Sequence, residues 1–305
     1  MIKKIAIFSL AAFMLGCNTP NNSNNNSEKI DLKIKFKAKA NGQDVECGKT
    51  YENIGTTKSK VNITDFRFYI HDVKLVDEKG KETKLDLTQD KKWQDGNVAL
   101  LDFENKSGDC SSGTTEINKE ISGSIAKGLY KGIKFTVGVP FDKNHQDVTK
   151  ANSPLNLTSM FWVWNSGYKF MRLDLKTTGL PQGYFLHLGS TGCMVDTAKT
   201  MSIKHEGEDH AATSMSANAN VPPSMCKNPN RPEISLTDFN YEKDSITLDL
   251  DALFSNSNVD TNQDKSPSGC MSTPDDQDCK TIFNNLGLDF GDSKTSGQKL
   301  FKVEK

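Results

Sequence analysis

The sequence carries almost no net charge. Lys and Arg total 38 and Asp and Glu total 39, which gives a formal net charge of −1 over 305 residues. A protein that binds nucleic acid needs a basic surface, so the composition gives no support to that class of partner. The sequence also lacks the Gly-x-Ser-x-Gly elbow, the phosphate-binding loop and the His-Glu-x-x-His helix of common enzyme classes. We therefore expect that the chain is not an enzyme.

Long hydrophobic runs are missing except at the N-terminus. There, Lys3 and Lys4 precede an apolar run from Ile5 to Leu15, and Met-Leu-Gly-Cys17 follows. The run is short for a membrane span, which needs about 20 apolar residues. The order of positive charge, apolar core, small residue and cysteine is typical of a bacterial lipoprotein signal. We predict a signal peptide over residues 1–16 and lipidation of Cys17.

The residues after Cys17 predict a tether and a location. Residues 18–27 are almost wholly Asn, Ser, Thr and Pro, which bury too little apolar surface to offset their ordering entropy. Residues 17–28 are therefore predicted to be a tether, and 29–305 a single folded domain without a linker or repeat. No acidic residue stands beside Cys17, which resembles lipoproteins sorted to the outer membrane. We expect a membrane-anchored lipoprotein that faces the periplasm or the cell surface.

Helical periodicity is scarce, and period-two alternation is common. The first example is Ile30, Leu32, Ile34 and Phe36, which alternate with charged residues as in a strand with one buried face. Similar patterns occur near residues 61–75, 133–139, 171–175, 185–188, 234–239 and 246–250. The phase shifts around His71-Asp72, as a β-bulge requires. Short helical turns are predicted over 252–254 and 280–286. The fold class is all-β, a mostly antiparallel β-sandwich with long loops.

Cys-x-x-Cys spacing is also absent, although six cysteines follow Cys17. An even number of cysteines in an exported chain predicts disulfides, which would staple the long loops. Six cysteines permit 15 pairings, and spacing alone does not choose among them. A site built from thiolates remains the alternative. The six are Cys47, Cys110, Cys193, Cys226, Cys270 and Cys279.

If disulfides occupy the sulfur atoms, a metal must find nitrogen, oxygen or thioether ligands. His145 follows a predicted strand end, and His187 lies on a strand just before Gly-Ser-Thr-Gly-Cys193. Loops carried by a rigid sheet often hold functional residues. Trp162 and Trp164 occur at a spacing that places both on one face of a strand. Taken alone, each histidine is more often structural, and the tryptophan pair more often packs in a core.

An ordered series of motifs resembles the MbnP-like family, the methanobactin-operon protein also described as the four-Cys protein of the metallo-mystery pair. The series covers nearly all of the chain after the tether, and its members are Asp65-Phe-Arg-Phe-Tyr69, Leu101-Asp-Phe-Glu104, Gly138-Val-Pro140, Met160-Phe-Trp-Val-Trp-Asn-Ser-Gly-Tyr168, His187-Leu-Gly-Ser-Thr-Gly-Cys193, Cys226-x-Asn-Pro-Asn-Arg231 and Gly269-Cys-Met-Ser272. The resemblance implies a copper-binding protein that is modified by a partner resembling the di-haem cytochrome c peroxidases (MauG-like).

The resemblance also implies a ligand set and a disulfide pattern. The partner would oxidise the first Trp of Trp-x-Trp, here Trp162, to kynurenine. That residue would bind Cu(I) with His145 and His187, and further ligands could come from Met160, Met271 or His71. The four-Cys pattern implies the pairs Cys47–Cys110 and Cys193–Cys226. The remaining pair, Cys270–Cys279, would close a short loop.

Two other functions are compatible with the sequence. One is a structural surface lipoprotein without a metal site, and another is a copper-dependent oxidase.

Two segments show weaker signs of metal binding. The segment from Met201 to His210, which includes His205, is rich in His, Met and carboxylates, but a solvated loop explains it better. The segment that begins at Asp260 resembles the start of a calcium-binding loop, but Lys265 replaces the glycine that the turn needs.

Overall fold

The computed structural model describes residues 28–163, 166–195 and 222–305. Strands dominate these residues. In chain order they are β1 (Lys29–Ala40), β2 (Gln43–Asp44), β3 (Thr50–Ile54), β4 (Ser59–Asp77), β5 (Glu82–Lys84), β6 (Asp86–Leu87), β7 (Gln94–Asp95), β8 (Val98–Asp102), β9 (Glu120–Ala126), β10 (Tyr130–Val137), β11 (Met171–Thr177), β12 (Tyr184–Leu188), β13 (Thr191–Met194), β14 (Met225–Asn228), β15 (Glu233–Thr237), β16 (Ser245–Asp249), β17 (Gly269–Cys270) and β18 (Phe301–Glu304).

The helices of the described residues are short. They are α1 (Phe141–Asn144), α2 (Leu250–Leu253) and α3 (Cys279–Leu286), together with one 3-10 turn (Thr158–Met160). α2 and α3 fall where the sequence predicts helical turns. No helix in the described part of the chain is long and apolar enough to cross a membrane.

The first sheet is built around β1, whose alternating pattern buries Leu32, Ile34 and Phe36 and leaves the lysines between them exposed. The strand order is β18-β16-β1-β9-β6, and β2 pairs with β1. β1 runs parallel to β16 and antiparallel to β9. This sheet therefore mixes both kinds of pairing.

The second sheet is built around β4, which is 19 residues long. Its strand order is β15-β10-β4-β11-β12-β17, while β3, β5 and β8 also pair with β4, and β7 pairs with β8. The predicted bulge is confirmed: Lys134 of β10 pairs with Lys74, but Thr136 pairs with His71, so β4 carries one extra residue there. Asp72, with φ of 53°, accommodates that extra residue in the left-handed region.

The two sheets pack face to face through aromatic side chains. Phe36 of β1 meets Phe68 of β4 and Phe135 of β10, with ring centroids 6.3 and 5.9 Å apart. Phe301 of β18 meets the same two rings at 5.9 and 5.3 Å. Edge-to-face aromatic pairs contribute beyond the area they bury, about 0.5–1.5 kcal/mol each. The predicted all-β sandwich is confirmed.

Three disulfides cross-link the described residues: Cys47–Cys110, Cys193–Cys226 and Cys270–Cys279. They are the three pairs expected above. Each bridge typically stabilises a fold by about 2–4 kcal/mol. The predicted signal peptide, Cys17 and almost all of the tether lie outside the described residues, as do Trp164 and the segment with His205 and His210.

Candidate metal centre

His145 follows directly after the short helix α1. Pro140 begins this turn, and its carbonyl accepts the backbone N–H of Asn144 at 2.9 Å. The turn brings the His145 ring inward, where only 8% of the residue is exposed. The ring meets the Phe141 ring edge to face, 5.2 Å between centroids. A strand-end loop therefore holds this imidazole against the body of the protein, as the sequence predicts.

The Asn144 side chain determines the tautomer of the His145 ring, that is, which ring nitrogen carries the proton. Its Oδ1 accepts the backbone N–H of Tyr168 at 3.0 Å, so the other end of the amide, Nδ2, faces His145 Nε2 at 3.1 Å. Because an amide nitrogen only donates, Nε2 must accept. Nε2 therefore carries a lone pair, and the ring proton is on Nδ1.

The same Nε2 lies against the Cys193–Cys226 disulfide. β13 and β14 form a separate two-stranded ribbon in which Cys193 and Cys226 are directly opposite each other. Cys226 Sγ is 3.4 Å from His145 Nε2. The two sulfur atoms and an imidazole nitrogen of His145 all lie within 4.8 Å of one another. No local pattern predicts this contact, because Cys193 lies 48 positions after His145 in the chain.

Trp162 belongs to a hairpin that closes through an antiparallel bridge between Phe161 and Tyr168. Its backbone N–H donates to the Gly167 carbonyl at 3.1 Å. Gly167, with φ of 79°, packs so tightly on Asn144 that a Cβ there would be 2.4 Å from Asn144 Nδ2. One arm of the Trp162 hairpin is thereby joined to the residue that contacts the His145 ring.

The indole of Trp162 lies on Gly189, two residues after His187. A Cβ at Gly189 would be 2.4 Å from Trp162 Cζ3, so only glycine leaves room for the ring. The Gly189 backbone N–H donates to Ser272 Oγ at 3.1 Å, and this hydroxyl donates to the His187 carbonyl at 2.8 Å. Trp162 thus contacts the end of the strand that carries His187.

His187 is held by a carboxylate. Its Nε2 is 2.8 Å from Asp174 Oδ1, and both residues are buried. Burial raises the pKa of Asp174, but hydrogen bonds and charge from His187 and Arg172 outweigh it and hold that pKa below the ordinary value. Burial lowers the pKa of His187, although Asp174 opposes this effect. The ring is therefore neutral at pH 7, donates from Nε2 and keeps its lone pair on Nδ1.

Asp174 belongs to a buried ion network. Arg172 contacts Asp174 Oδ2 at 2.6 Å through one terminal nitrogen and Asp65 Oδ2 at 3.0 Å through the other. Asp65 Oδ1 also accepts a hydrogen bond from Arg67 Nε at 2.8 Å. These residues come from β4, β11 and β12, which are adjacent. The alternation of opposite charges along Asp65-Phe-Arg67 and Arg172-Leu-Asp174 is the sequence signal that could have revealed the network.

The other predicted ligands are differently placed. Met271 follows β17, which runs parallel to β12, and so lies one register step beyond the pair Leu186↔Cys270. Met160 is fully buried in the hydrophobic core. His71 lies at the bulge of β4, where its Nδ1 is 2.9 Å from Asp72 Oδ2. Its Nε2 is buried and has no hydrogen-bond partner among the described residues.

A cavity of about 810 Å³ opens beside His145. Its lining includes Phe141, Phe161, which precedes Trp162, and Pro222 and Pro223, which lie just before β14. The cavity therefore gives access from outside to the His145 ring and to the hairpin that carries Trp162.

The protein is a disulfide-stapled β-sandwich in which the Trp162 hairpin contacts Gly189 and Asn144, close in sequence to the buried His187 and His145. A family model described as MbnP matches residues 29–272, and the chain belongs to this family. The structure of MbnP from Methylosinus trichosporium is similar, with a TM-score of 0.74 and 29% sequence identity over 90% of this chain and 98% of that chain. No curated protein matches. Membership relates the chain to proteins of methanobactin operons.

Proposed function

We propose that the protein is an exported lipoprotein that binds copper as Cu(I), at a centre formed by Trp162 after conversion to kynurenine, His145 and His187. One observation carries the proposal. The Trp162 hairpin contacts the elements of both histidines, through Asn144 beside His145 and through Gly189 beside the His187 strand. A new ligand atom made on Trp162 would therefore arise among imidazoles that are already positioned.

The two histidines suit this role because each has a lone pair fixed by its partner. His187 shows the carboxylate–histidine arrangement that orients metal ligands, with Asp174 as the carboxylate. His145 keeps its Nε2 lone pair because Asn144 only donates to it. Neutral imidazole nitrogen is a common copper ligand, and thioethers such as that of Met271 suit Cu(I).

Trp162 needs chemical change before it can bind a metal. The indole nitrogen is a donor only, since its lone pair belongs to the aromatic system. We propose that a di-haem, peroxidase-like partner uses two equivalents of peroxide to cleave the C2–C3 bond of the indole and add two oxygen atoms. Hydrolysis then releases formate and leaves kynurenine, which has an aromatic amine and a ketone. Either group can face the metal.

The proposed role is copper acquisition, storage or homeostasis at a membrane surface, with binding and not catalysis as the activity. Anchoring through Cys17 would keep the β-sandwich at the membrane, on a tether that ends near Lys29, where β1 begins. The cavity beside His145 would provide the route by which copper enters.

The proposal is tested by co-expression with the haem partner. The peptide from Met160 to Tyr168 should gain the mass of two oxygen atoms less one CO, and the protein should retain about one Cu(I) per chain. In Trp162→Phe the ring remains aromatic but yields no amine, so copper should be lost while circular dichroism is unchanged. Trp93→Phe is the matched control, because Trp93 lies outside the centre, beside Lys92. This control should keep both the modification at Trp162 and the copper.

His145→Ala and His187→Ala should each lower copper retention, because a missing imidazole leaves an incomplete ligand set. Full copper occupancy in Trp162→Phe would refute the kynurenine centre. Copper that is lost from Trp162→Phe but retained in both histidine variants would refute the proposed imidazole ligands.

A further inference from the structure

We propose that the Cys193–Cys226 disulfide conceals a second metal site that is controlled by redox state. When a dithiol reductant opens this bridge, the two thiolates and His145 Nε2 form a Cys₂His site for Zn(II) or Cu(I). The inference goes beyond the proposed copper centre, because it needs neither kynurenine nor His187. It rests on the three donor atoms that already lie within 4.8 Å of one another.

The ribbon is the reason that the donors converge. Cys193 and Cys226 are directly opposite residues on antiparallel strands, so their side chains leave the ribbon on the same face. The pairs Thr191↔Asn228 and Met194↔Met225 hold the strands on either side of the bridge. The backbone N–H of Ser224 also donates to the Met194 carbonyl at 2.9 Å. These contacts do not depend on the sulfur–sulfur bond, so the thiols remain opposite each other once it is broken.

The His145 ring is already oriented for metal binding. Nε2 is the ring nitrogen that carries the lone pair, and it is the atom that faces Cys226 Sγ at 3.4 Å. Metal binding at Nε2 replaces the hydrogen bond from Asn144. The Asn144 side chain stays anchored through Oδ1 on Tyr168.

A reductant can reach this bridge at either of its two sulfur atoms. Cys193 and Cys226 are both partly exposed, whereas Cys270 and Cys279 are completely buried. In the Cys47–Cys110 bridge only Cys47 is partly exposed, and Cys110 is 1% exposed. Thiol–disulfide exchange requires access of the attacking thiolate to a disulfide sulfur. Exposed bridges are accordingly the labile ones.

The chemistry balances with a dithiol as reductant. One thiolate of the reductant attacks a bridge sulfur, the Cys193–Cys226 bond breaks, and the second thiol resolves the mixed disulfide. The protein gains two electrons and two protons, and the reductant becomes a disulfide. Binding of the metal then releases the two thiol protons, because only thiolates are ligands. Three protein ligands leave a fourth position of Zn(II) open to water.

The experiment uses the full mature protein expressed without the haem partner, so that Trp162 is unmodified. The protein is titrated with a dithiol under argon, and alkylation with mass spectrometry identifies the stage at which only Cys193 and Cys226 are open. Co(II) is then added as a spectroscopic probe for Zn(II). We expect a thiolate-to-cobalt charge-transfer band that saturates at about one equivalent and disappears on addition of Zn(II). The oxidised protein should show no such band.

Two variants decide the result. His145→Ala keeps both cysteines and should bind Zn(II) at least tenfold more weakly after reduction. His71→Ala, which removes a buried histidine elsewhere, should bind as the wild type does. A reduced wild type without the charge-transfer band would overturn the proposal. Equal Zn(II) affinity in His145→Ala and wild type would overturn the role of His145. Neither result bears on copper binding by the modified protein, which is measured with the disulfide intact.

Discussion

Replacing Asp174 by Ala tests how the ion network supports His187. In the native protein Asp174 contacts Arg172 at 2.6 Å and His187 at 2.8 Å, and it is 2% exposed. Removing one partner of a buried ion pair costs about 3–5 kcal/mol, because the other charge stays buried without compensation. Arg172 keeps a second partner, Asp65, at 3.0 Å. We therefore expect a loss near the lower limit, about 3 kcal/mol in the free energy of unfolding.

The measurement is urea unfolding at pH 7 with the disulfides intact, followed by circular dichroism. Lys176→Ala is the control on the same strand, since Lys176 forms an exposed pair with Asp109 and should contribute about 1 kcal/mol or less. Asp174→Asn separates charge from hydrogen bonding, because the amide oxygen still accepts from His187. The loss of unfolding free energy in Asp174→Asn should lie between those of Asp174→Ala and Lys176→Ala. An Asp174→Ala loss as small as that of Lys176→Ala would refute the network as a source of stability.

The stability that Asp174 contributes should depend on pH in a defined direction. The folded pKa of Asp174 lies below its ordinary value of 3.8, so the unfolded chain takes up its proton first as the pH falls. Its stabilising contribution is complete well above pH 3.8 and is lost as the pH falls through the folded pKa. The difference in stability between wild type and Asp174→Ala should therefore shrink below about pH 4. A difference that grows on acidification would contradict this assignment.

Three further predictions concern other parts of the molecule. Burial raises the pKa of Asp102 to about 8, so the native protein loses stability as the pH rises from about 4 to about 8; urea midpoints of Asp102→Asn should lack this decline. Gly189→Ala should displace the Trp162 ring and slow kynurenine formation, measured as peptide mass at a fixed time, whereas Gly128→Ala should not. Cys17→Ala should move the protein from the detergent phase to the aqueous phase, because lipid chains supply its attachment; unchanged partitioning would contradict lipidation.

The fold was predictable because one face of each main strand is buried. The apolar period in β1 and the phase shift in β4 reflect a single physical constraint, since side chains alternate between the core and the other face. The buried second face of β4, β11 and β12 was not predictable in the same way. Asp65, Arg67 and Asp174 look like solvent-facing residues in the alternation, but they are buried. Asp65 pairs with Arg67, and Arg172 joins Asp65 to Asp174.

The sequence predicts a set of candidate site residues, but it does not predict how they are arranged. His145, His187 and Trp162 were named from their neighbours in the sequence and from the family motifs. Their relation depends on contacts between distant segments, such as Tyr168 with Asn144 and Cys226 with His145. Such contacts follow from the strand order of the sheets, which local patterns do not determine.

The parallel pairing of β1 with β16 has a consequence for how the chain folds. Lys35 pairs with Ser245, more than 200 residues later, and β18 completes that sheet only at residues 301–304. Contacts between such distant segments form slowly, because a long loop must close before any of them is made. Until β18 is available, the sheet that carries Ile34 and Phe36 is incomplete. Under the export that we propose, slow folding would help to keep the chain unfolded while it crosses the membrane.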